Sequence, residues 1–190
     1  MPLHCILITL FISIITTTAH PPLSPLTPDN QTTYTVSKKL CWAWGCLSEP
    51  LEFLFVHNMV RAPHWELPLV WDSQLESYAR WWAGQRKADC RLQHSFPEGG
   101  FTLGENVFWG GYGVDWTPTD AVQAWAGEWR YYTYATNACE KGRVCGHYTQ
   151  IVWRNTRRIG CARVVCDGKR GVFITCNYYP PGNYIGQRPY

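Results

Sequence analysis

Charged side chains are scarce in this 190-residue sequence. Lys, Arg, Asp and Glu together make up 16% of it and hydrophobic residues 46%, which is the composition of a folded domain and not of a disordered polymer. The net charge is only +3 at pH 7, too small an excess for the phosphate-neutralising surface of a nucleic-acid-binding protein. We therefore expect one ordinary domain and no nucleic-acid partner.

The apolar run near the N-terminus is too short to cross a membrane. Residues 5–15 are apolar, which is about half the length that a bilayer span needs. Small residues follow, and Thr17 and Ala19 are suitably placed for cleavage before His20, although the first residues include no Lys or Arg. The sequence therefore predicts a secretory signal peptide over residues 1–19 and an extracellular protein.

Common catalytic and metal-binding motifs are also missing. The sequence contains no HExxH helix, no GxSxG elbow and no glycine loop followed by Lys-Ser or Lys-Thr. No two cysteines have the CxxC spacing that zinc sites favour. No motif therefore indicates a nucleophilic, phosphate-binding or thiolate-zinc site.

The cysteines predict disulfides. Removal of Cys5 with the signal peptide leaves eight of the nine cysteines, and an even number in a small exported chain indicates a disulfide framework. Cys41 and Cys46 enclose a short loop and most simply pair with each other. They end a Pro- and Thr-rich segment over residues 20–47, which we interpret as an extended tether with a glycosylation sequon at Asn30.

Three helices are predicted after residue 48. The first is capped by Ser48, has Leu51, Leu54, Phe55 and Met59 at helical spacing, and is ended by Pro63. The second begins at Asp72 or Ser73, with a capping box of Ser73 and Glu76. The third has a capping box of Thr117 and Asp120 and extends to about residue 131, with Val122, Trp125 and Trp129 on one stripe.

The C-terminal half changes to the period of two that is typical of strands. Residues 159–165 and 172–178 alternate about a turn at Gly168, which predicts an antiparallel hairpin. A turn centred between Gly168 and Lys169 places Cys161 directly opposite Cys176, at a separation suitable for a disulfide. Helices followed by such a sheet predict an α+β fold.

Four side chains have the chemistry of a shared polar site. They are His94, Glu105, Glu128 and His147. Two imidazoles and two carboxylates could hold a divalent ion, share protons, or hydrogen-bond one another in a buried network. From the residues alone, the buried network or an exposed histidine is the simpler interpretation.

Aromatic residues separated by glycines form a second candidate site. Phe108, Trp109, Tyr112 and Trp116 lie within the segment FWGGYGVDW. Glycines allow movement and rings provide apolar contact, so this segment could be a flexible loop that opens over a lipid or sterol. Packing of the same rings on the core is an equally simple alternative.

Several motifs resemble those of the CAP superfamily, which comprises cysteine-rich secretory, antigen 5 and pathogenesis-related class 1 proteins. These motifs are GHYTQIVW at residues 146–153, FITCNYYPPGNY at 173–184, GENV at 104–107, and His57-Asn58. No further cysteine-rich module follows, so the sequence resembles the plant pathogenesis-related branch. The resemblance implies an α-β-α sandwich over residues 48–190, with a central antiparallel sheet flanked by helices and stapled by disulfides.

The same resemblance implies the site and the disulfide pairing. It places His94, Glu105, Glu128 and His147 in one cleft, where no cofactor is required but a divalent cation, zinc or magnesium, could bind His94 and His147. It also implies the bridges Cys90–Cys166, Cys139–Cys145 and Cys161–Cys176.

The function implied by the resemblance is that of a secreted, non-enzymatic plant defence protein of the apoplast. Its expected partners are a sterol or small lipid and a pathogen membrane. The resemblance also implies a signalling peptide over residues 180–190, released by a processing protease that cuts between Tyr179 and Pro180. The alternative is a metal-assisted hydrolase with Glu105 or Glu128 as the base.

Overall fold

The computed structural model describes residues 41–42, 45–96 and 103–190. Its α-helices are α1 (Glu49–Arg61), α2 (Ser73–Arg86), α3 (Pro118–Ala126) and α4 (Gly146–Ile151). Its strands are β1 (Cys41–Trp42), β2 (Gly45–Cys46), β3 (Val70–Trp71), β4 (Gly104–Gly110), β5 (Tyr132–Thr133), β6 (Ala138–Cys139), β7 (Arg158–Val165) and β8 (Val172–Tyr179). Short 3-10 helices span Ala62–His64, Gly127–Tyr131 and Asp167–Lys169. Within the described ranges, no helix is long and apolar enough to cross a membrane.

The central sheet has four strands in the order β3-β7-β8-β4. Strands β7 and β8 form the predicted hairpin, and its register places Cys161 opposite Cys176 as expected. Strand β4 pairs antiparallel with the other side of β8. The two-residue strand β3 runs parallel to β7, so this edge departs from the antiparallel pairing of the rest of the sheet. The edge differs because the chain returns from α1 in the direction of β7.

Helices cover both faces of the sheet. On one face, α2 packs so closely on β7 that a Cβ atom at Gly160 would lie 2.1 Å from the backbone nitrogen of Glu76. Alternate residues of β7 and β8 face the other side, where Ile159 and Ile174 belong to the core formed with α1, α3 and α4. This arrangement is the expected α-β-α sandwich.

Helix α1 forms as predicted, but of its residues Leu51, Leu54, Phe55 and Met59 only Leu54 packs against the core. Ser48 precedes the helix as expected, but Leu51, Phe55 and Met59 are exposed, with Met59 58% accessible. The buried residues of α1 are Glu52, Phe53, Val56, His57 and Arg61. The buried face therefore differs from the apolar one, because the buried polar side chains of this helix have hydrogen-bond partners elsewhere in the domain.

The helix caps were predicted partly correctly. Thr117 and Asp120 form the expected capping box of α3. Helix α2 is instead capped by Asp72, whose carboxylate accepts hydrogen bonds from the backbone nitrogens of Gln74 and Leu75, so the Ser73–Glu76 box is wrong. Trp129 is 63% exposed, because the chain tightens after α3 into a 3-10 helix whose period no longer matches the stripe.

Three disulfides join cysteines that both lie in the described part of the chain, and all three were expected. They are Cys90–Cys166, Cys139–Cys145 and Cys161–Cys176. Cys46 is also in a disulfide, and the register of β1 and β2 places it opposite Cys41. The side chain of Cys41, the signal peptide at 1–19, the sequon at Asn30 and most of the tether lie outside the described residues, so these stay predictions.

Candidate functional site

The first half of the candidate site is a pair formed by His94 and Glu105. Glu105 lies on β4, opposite Asn177 of β8, and its side chain is 1% exposed. Its Oε1 atom is 2.8 Å from Nδ1 of His94, whose own side chain is 46% exposed. The sheet thus holds the carboxylate rigidly, while the imidazole reaches solvent.

Three further protein groups donate to the carboxylate of Glu105. The backbone nitrogen and the hydroxyl of Ser95 donate to it at 2.9 and 2.6 Å, and Nδ2 of Asn177 donates at 3.2 Å. Burial by itself raises the pKa of Glu105, but the hydrogen bonds from His94, Ser95 and Asn177 outweigh it and hold the pKa below its usual value. Glu105 is therefore an ionised anchor for the surrounding side chains.

The second half of the site is a pair formed by Glu128 and His147. Glu128 lies in the 3-10 helix after α3, and His147 lies in the first turn of α4. Nδ1 of His147 is 2.6 Å from Oε1 of Glu128, and its backbone nitrogen donates to Oε2 at 3.0 Å. The imidazole stacks on Trp125 with ring centroids 6.3 Å apart. This ring is less exposed than that of His94, at 26%.

Asn106 connects the two pairs. It follows Glu105 on β4, and its Nδ2 atom donates to the carbonyl oxygen of His147 at 3.0 Å and to the hydroxyl of Tyr178 at 3.1 Å. Asn106, Asn177 and Tyr178 lie within the sequence motifs, but no role was predicted for them. Their place next to Glu105, on β4 or on the strand paired with it, is the feature that could have identified them.

The structure brings the four predicted residues together as two pairs. A cavity of about 510 Å³ is lined by His94 and Glu105 together with Gly104, Gln150 and residues 181–185. Gly104 allows Gln150 to approach, because a Cβ atom there would lie 2.2 Å from the Gln150 side chain. Glu128 and His147 do not line this cavity.

The predicted metal ligands are only partly suited to an ion. In each pair, Nδ1 of the histidine faces a carboxylate, an arrangement that leaves Nε2 for a metal. In residues 41–42, 45–96 and 103–190, however, no group of three or more His, Cys, Asp or Glu side chains could hold one. The protein groups around Glu105 already satisfy its oxygens, so a closed four-ligand site is not formed by these residues.

The predicted aromatic loop is divided between a strand and a turn. Phe108 and Trp109 lie on β4, so the expectation of one flexible loop is wrong for them. Phe108 and Trp116 pack together with centroids 5.5 Å apart, and Trp116 covers Gly110. Trp109 and Tyr112 remain 50% and 65% exposed. Each interpretation is therefore correct for two of the rings: Phe108 and Trp116 pack on the core, and Trp109 and Tyr112 are exposed.

The proposed cleavage point lies at the end of β8. The carbonyl oxygen of Tyr179 accepts a hydrogen bond from the backbone nitrogen of Arg157 at 3.0 Å, and that of Pro180 accepts one from the Thr156 hydroxyl at 3.0 Å. Both carbonyl groups beside the predicted cut are therefore bonded within the folded domain.

Known proteins match the chain in sequence. A family model described as the cysteine-rich secretory protein family, CAP, matches residues 54–178. Pathogenesis-related protein PRMS of Zea mays is 52% identical over 75% of this chain and 83% of its own length. Pathogenesis-related protein PR-1 of Medicago truncatula is 44% identical, and the match covers both chains completely.

Solved structures match the fold. Venom allergen-like protein 4 of Schistosoma mansoni aligns with a TM-score of 0.61 at 28% identity, over 76% of this chain and 95% of that one. A structure described as NaASP2 with Zn²⁺ aligns with a TM-score of 0.60 at 26% identity, over 79% and 89%.

Proposed function

Because the chain belongs to the CAP family of cysteine-rich secretory proteins, we propose that it acts as a non-enzymatic defence protein that binds a sterol or another small lipid. Its pathogenesis-related relatives indicate a plant defence protein, and these relatives and its disulfides suggest an extracellular one. We further propose that it binds a lipid, acts on a pathogen membrane and is antimicrobial.

The exposed rings at the end of β4 are the observation that carries this proposal. Trp109 and Tyr112 are large, accessible and close in sequence, and Val114 beside them is 46% exposed. A cavity of about 270 Å³ is lined by Tyr112 and Val114, by Val165 and Val172 of the hairpin, and by the ion pair of Asp115 and Arg163. Aromatic and aliphatic groups around a concave surface are typical of sites for small apolar ligands.

Sterol binding by the purified protein tests the proposal. We expect the double variant Trp109→Ala with Tyr112→Ala to bind radiolabelled sterol at least tenfold more weakly than the parent protein. Phe108 and Trp116 are left intact because they pack on each other and their loss would disturb the fold.

Trp81→Ala is the matched control, because Trp81 lies on α2 and is as exposed as Trp109, at 52%. The control should bind sterol like the parent. Equal binding by the double variant would remove the aromatic segment from the mechanism, and an equal loss in the control would identify nonspecific adsorption.

The alternative of a metal-assisted hydrolase has less support from the site. Both carboxylates accept hydrogen bonds from several protein donors, so neither is poised as a free base. A divalent ion at His94 and His147 nevertheless stays a prediction. Zinc titration by calorimetry, with His147→Ala as the control, tests it, and hydrolysis of ester or peptide substrates that survives this substitution would point to a contaminant.

We also propose that residues 180–190 are released as a signalling peptide after a cut between Tyr179 and Pro180. The hydrogen bonds on both flanking carbonyl groups mean that this strand end must open before a protease can bind its backbone. Mass spectrometry of extracellular fluid after immune challenge should detect the peptide that begins at Pro180. Its persistent absence would contradict release.

A further inference from the structure

The segment of residues 180–190 is docked on the domain at two places, with an exposed turn between them. Its contacts near Asn183 are made with α4, those near Tyr190 mainly with the β5–β6 hairpin and the 3-10 helix at Ala62–His64, and Ile185 in the middle is fully exposed. A backbone hydrogen bond from Gln187 to Tyr184 closes the turn. The segment therefore has two separate anchors.

The first anchor lies on α4. The backbone nitrogen of Gly182 donates to Oε1 of Gln150 at 2.9 Å. Asn183 accepts a hydrogen bond from the Thr149 hydroxyl at 2.7 Å and donates to the carbonyl oxygen of Gly146 at 2.8 Å. The Asn183 amide thus uses both its donor and its acceptor, a pairing that fixes its position along the helix.

The second anchor is an aromatic box around Tyr190. The ring of Tyr190 stacks on His64 with centroids 4.1 Å apart and on Tyr134 with centroids 4.8 Å apart. Its hydroxyl lies 3.1 Å from that of Tyr148. The Tyr134 hydroxyl donates to the carbonyl oxygen of Tyr190 at 2.6 Å. The box therefore recognises both the ring and the backbone of one residue.

Backbone contacts extend the second anchor. The backbone nitrogen of Arg154 donates to the carbonyl oxygen of Pro189 at 2.6 Å, and Asn137 donates to that of Gln187 at 3.0 Å. The guanidinium of Arg188 donates to the carbonyl oxygens of Tyr134 and Ala135. None of these contacts depends on the peptide bond between Tyr179 and Pro180.

The middle of the segment spans open space. A cavity of about 450 Å³ lies beneath it, lined by residues of β5, β6 and α4. Asn183 and Tyr184 line both this cavity and the 510 Å³ cavity beside His94 and Glu105. The segment is thus a partition between two cavities, and its departure would join them.

From these contacts we propose that α4, the β5–β6 hairpin and the 3-10 helix at Ala62–His64 form a peptide-binding groove whose ligand is the segment of residues 180–190 itself, as a separate peptide. This inference rests on the proposed cleavage for its setting. A cut between Tyr179 and Pro180 leaves the peptide bound to the domain, and its release is a second, slower step that the groove controls.

The experiment inserts a short recognition site for a sequence-specific protease between Tyr179 and Pro180 of the full chain. After cleavage, gel filtration followed by mass spectrometry measures how much peptide elutes with the domain. A labelled synthetic peptide of residues 180–190 then measures the rate of exchange. We expect the peptide to remain with the domain in buffer and to separate in denaturant.

Substitutions in the peptide test the groove without disturbing the domain. Tyr190→Ala should shorten retention at least tenfold, because it removes the ring from the box. Ile185→Ala is the matched control and should be retained like the parent, because Ile185 is fully exposed. On the domain, Tyr134→Phe keeps the stack but removes one hydrogen bond, so its effect should be smaller than that of Tyr190→Ala.

Two results would overturn the proposal. One is immediate loss of the parent peptide from a domain that circular dichroism shows to be folded, and the other is equal retention of the parent and Tyr190→Ala peptides. Neither result bears on cleavage in the plant, which is tested by the peptide in extracellular fluid, so the two proposals fail separately.

Discussion

The domain buries ionisable side chains in two regions, and the regions differ in what those side chains face. Under α1, Glu52, His57 and Arg61 are completely inaccessible. At the site, the side chains of Glu105 and Glu128 are 1% and 16% exposed, and each holds a histidine that reaches solvent. The first region is closed by the protein on all sides, and the second is open on one.

In the closed region, Arg61 and His57 are hydrogen-bonded to the domain, whereas Oε2 of Glu52 has no hydrogen-bond partner among the described residues. Arg61 donates to the carbonyl oxygens of Leu67, Ile151, Trp153 and Thr156 at 2.7 to 3.3 Å. His57 lies between the carbonyl oxygen of Phe53 and the hydroxyl of Tyr178. These groups hold α1 against the loop after α4 and against β8, and they offer nothing to a ligand.

The open region keeps binding capacity. Nδ1 of each histidine faces a carboxylate, which leaves Nε2 for a ligand, and both imidazoles reach solvent. Burial of a histidine or a carboxylate therefore does not by itself mark a functional site. What separates the two regions is whether the imidazole still reaches solvent.

The largest expected effect is that of Arg61→Lys. Lysine cannot reproduce the planar fork that reaches several carbonyl groups, so some of these acceptors lose their partner in a closed interior. We expect a loss of about 3–5 kcal/mol in the free energy of unfolding, measured with urea. Arg80→Lys is the control. Because the side chain of Arg80 is exposed, this substitution should change the free energy of unfolding little. An equally small loss of stability for Arg61→Lys would contradict the role given to these hydrogen bonds.

The second expected effect is a loss of stability between pH 6.5 and pH 4. Burial lowers the pKa of His57 from its ordinary 6.5 to about 4, with Arg61 also opposing its protonation. In this window the unfolded chain binds a proton that the folded chain excludes, so stability falls as the pH falls, by about 3 kcal/mol in total. His57→Gln should flatten the profile in this range, and an unchanged slope would refute the assignment.

A third, smaller effect distinguishes the site from the core by pH. Hydrogen bonds hold the pKa of Glu105 below its usual 4.5, so the stability that this carboxylate contributes is present above that pH and is lost as the pH falls through the lower folded value. Glu105→Gln should cost roughly 1–3 kcal/mol at neutral pH, because Ser95 and Asn177 lose a charged acceptor. The same substitution should also make the free energy of unfolding fall less steeply as the pH is lowered below 4.5.

Glu105→Gln should leave the slope between pH 6.5 and pH 4.5 unchanged, whereas His57→Gln should alter it. Unfolding free energies of both variants, measured at the same series of pH values, separate the two regions. If the two substitutions altered the same window, the distinction between a closed and an open region would be wrong.

Local features of this protein could be predicted from its sequence alone. The hairpin register that joins Cys161 to Cys176, the Thr117–Asp120 cap and the α+β class each depend on residues close in the chain or on a turn between neighbouring strands. Such features are determined by backbone geometry within a few residues, so a sequence pattern is sufficient. The motifs extended this to the other two disulfides through resemblance.

The tertiary structure decided what depends on partners far apart in the chain. The core face of α1 includes Arg61 because its guanidinium finds carbonyl groups about ninety residues away, which no helical stripe can show. The four predicted site residues became two pairs because β4, α4 and the 3-10 helix meet there. The segment of residues 180–190 lies on the domain because its anchors come from α4, the β5–β6 hairpin and the 3-10 helix at Ala62–His64. A buried polar group is stable only when its partner is present, and folding alone brings those partners together.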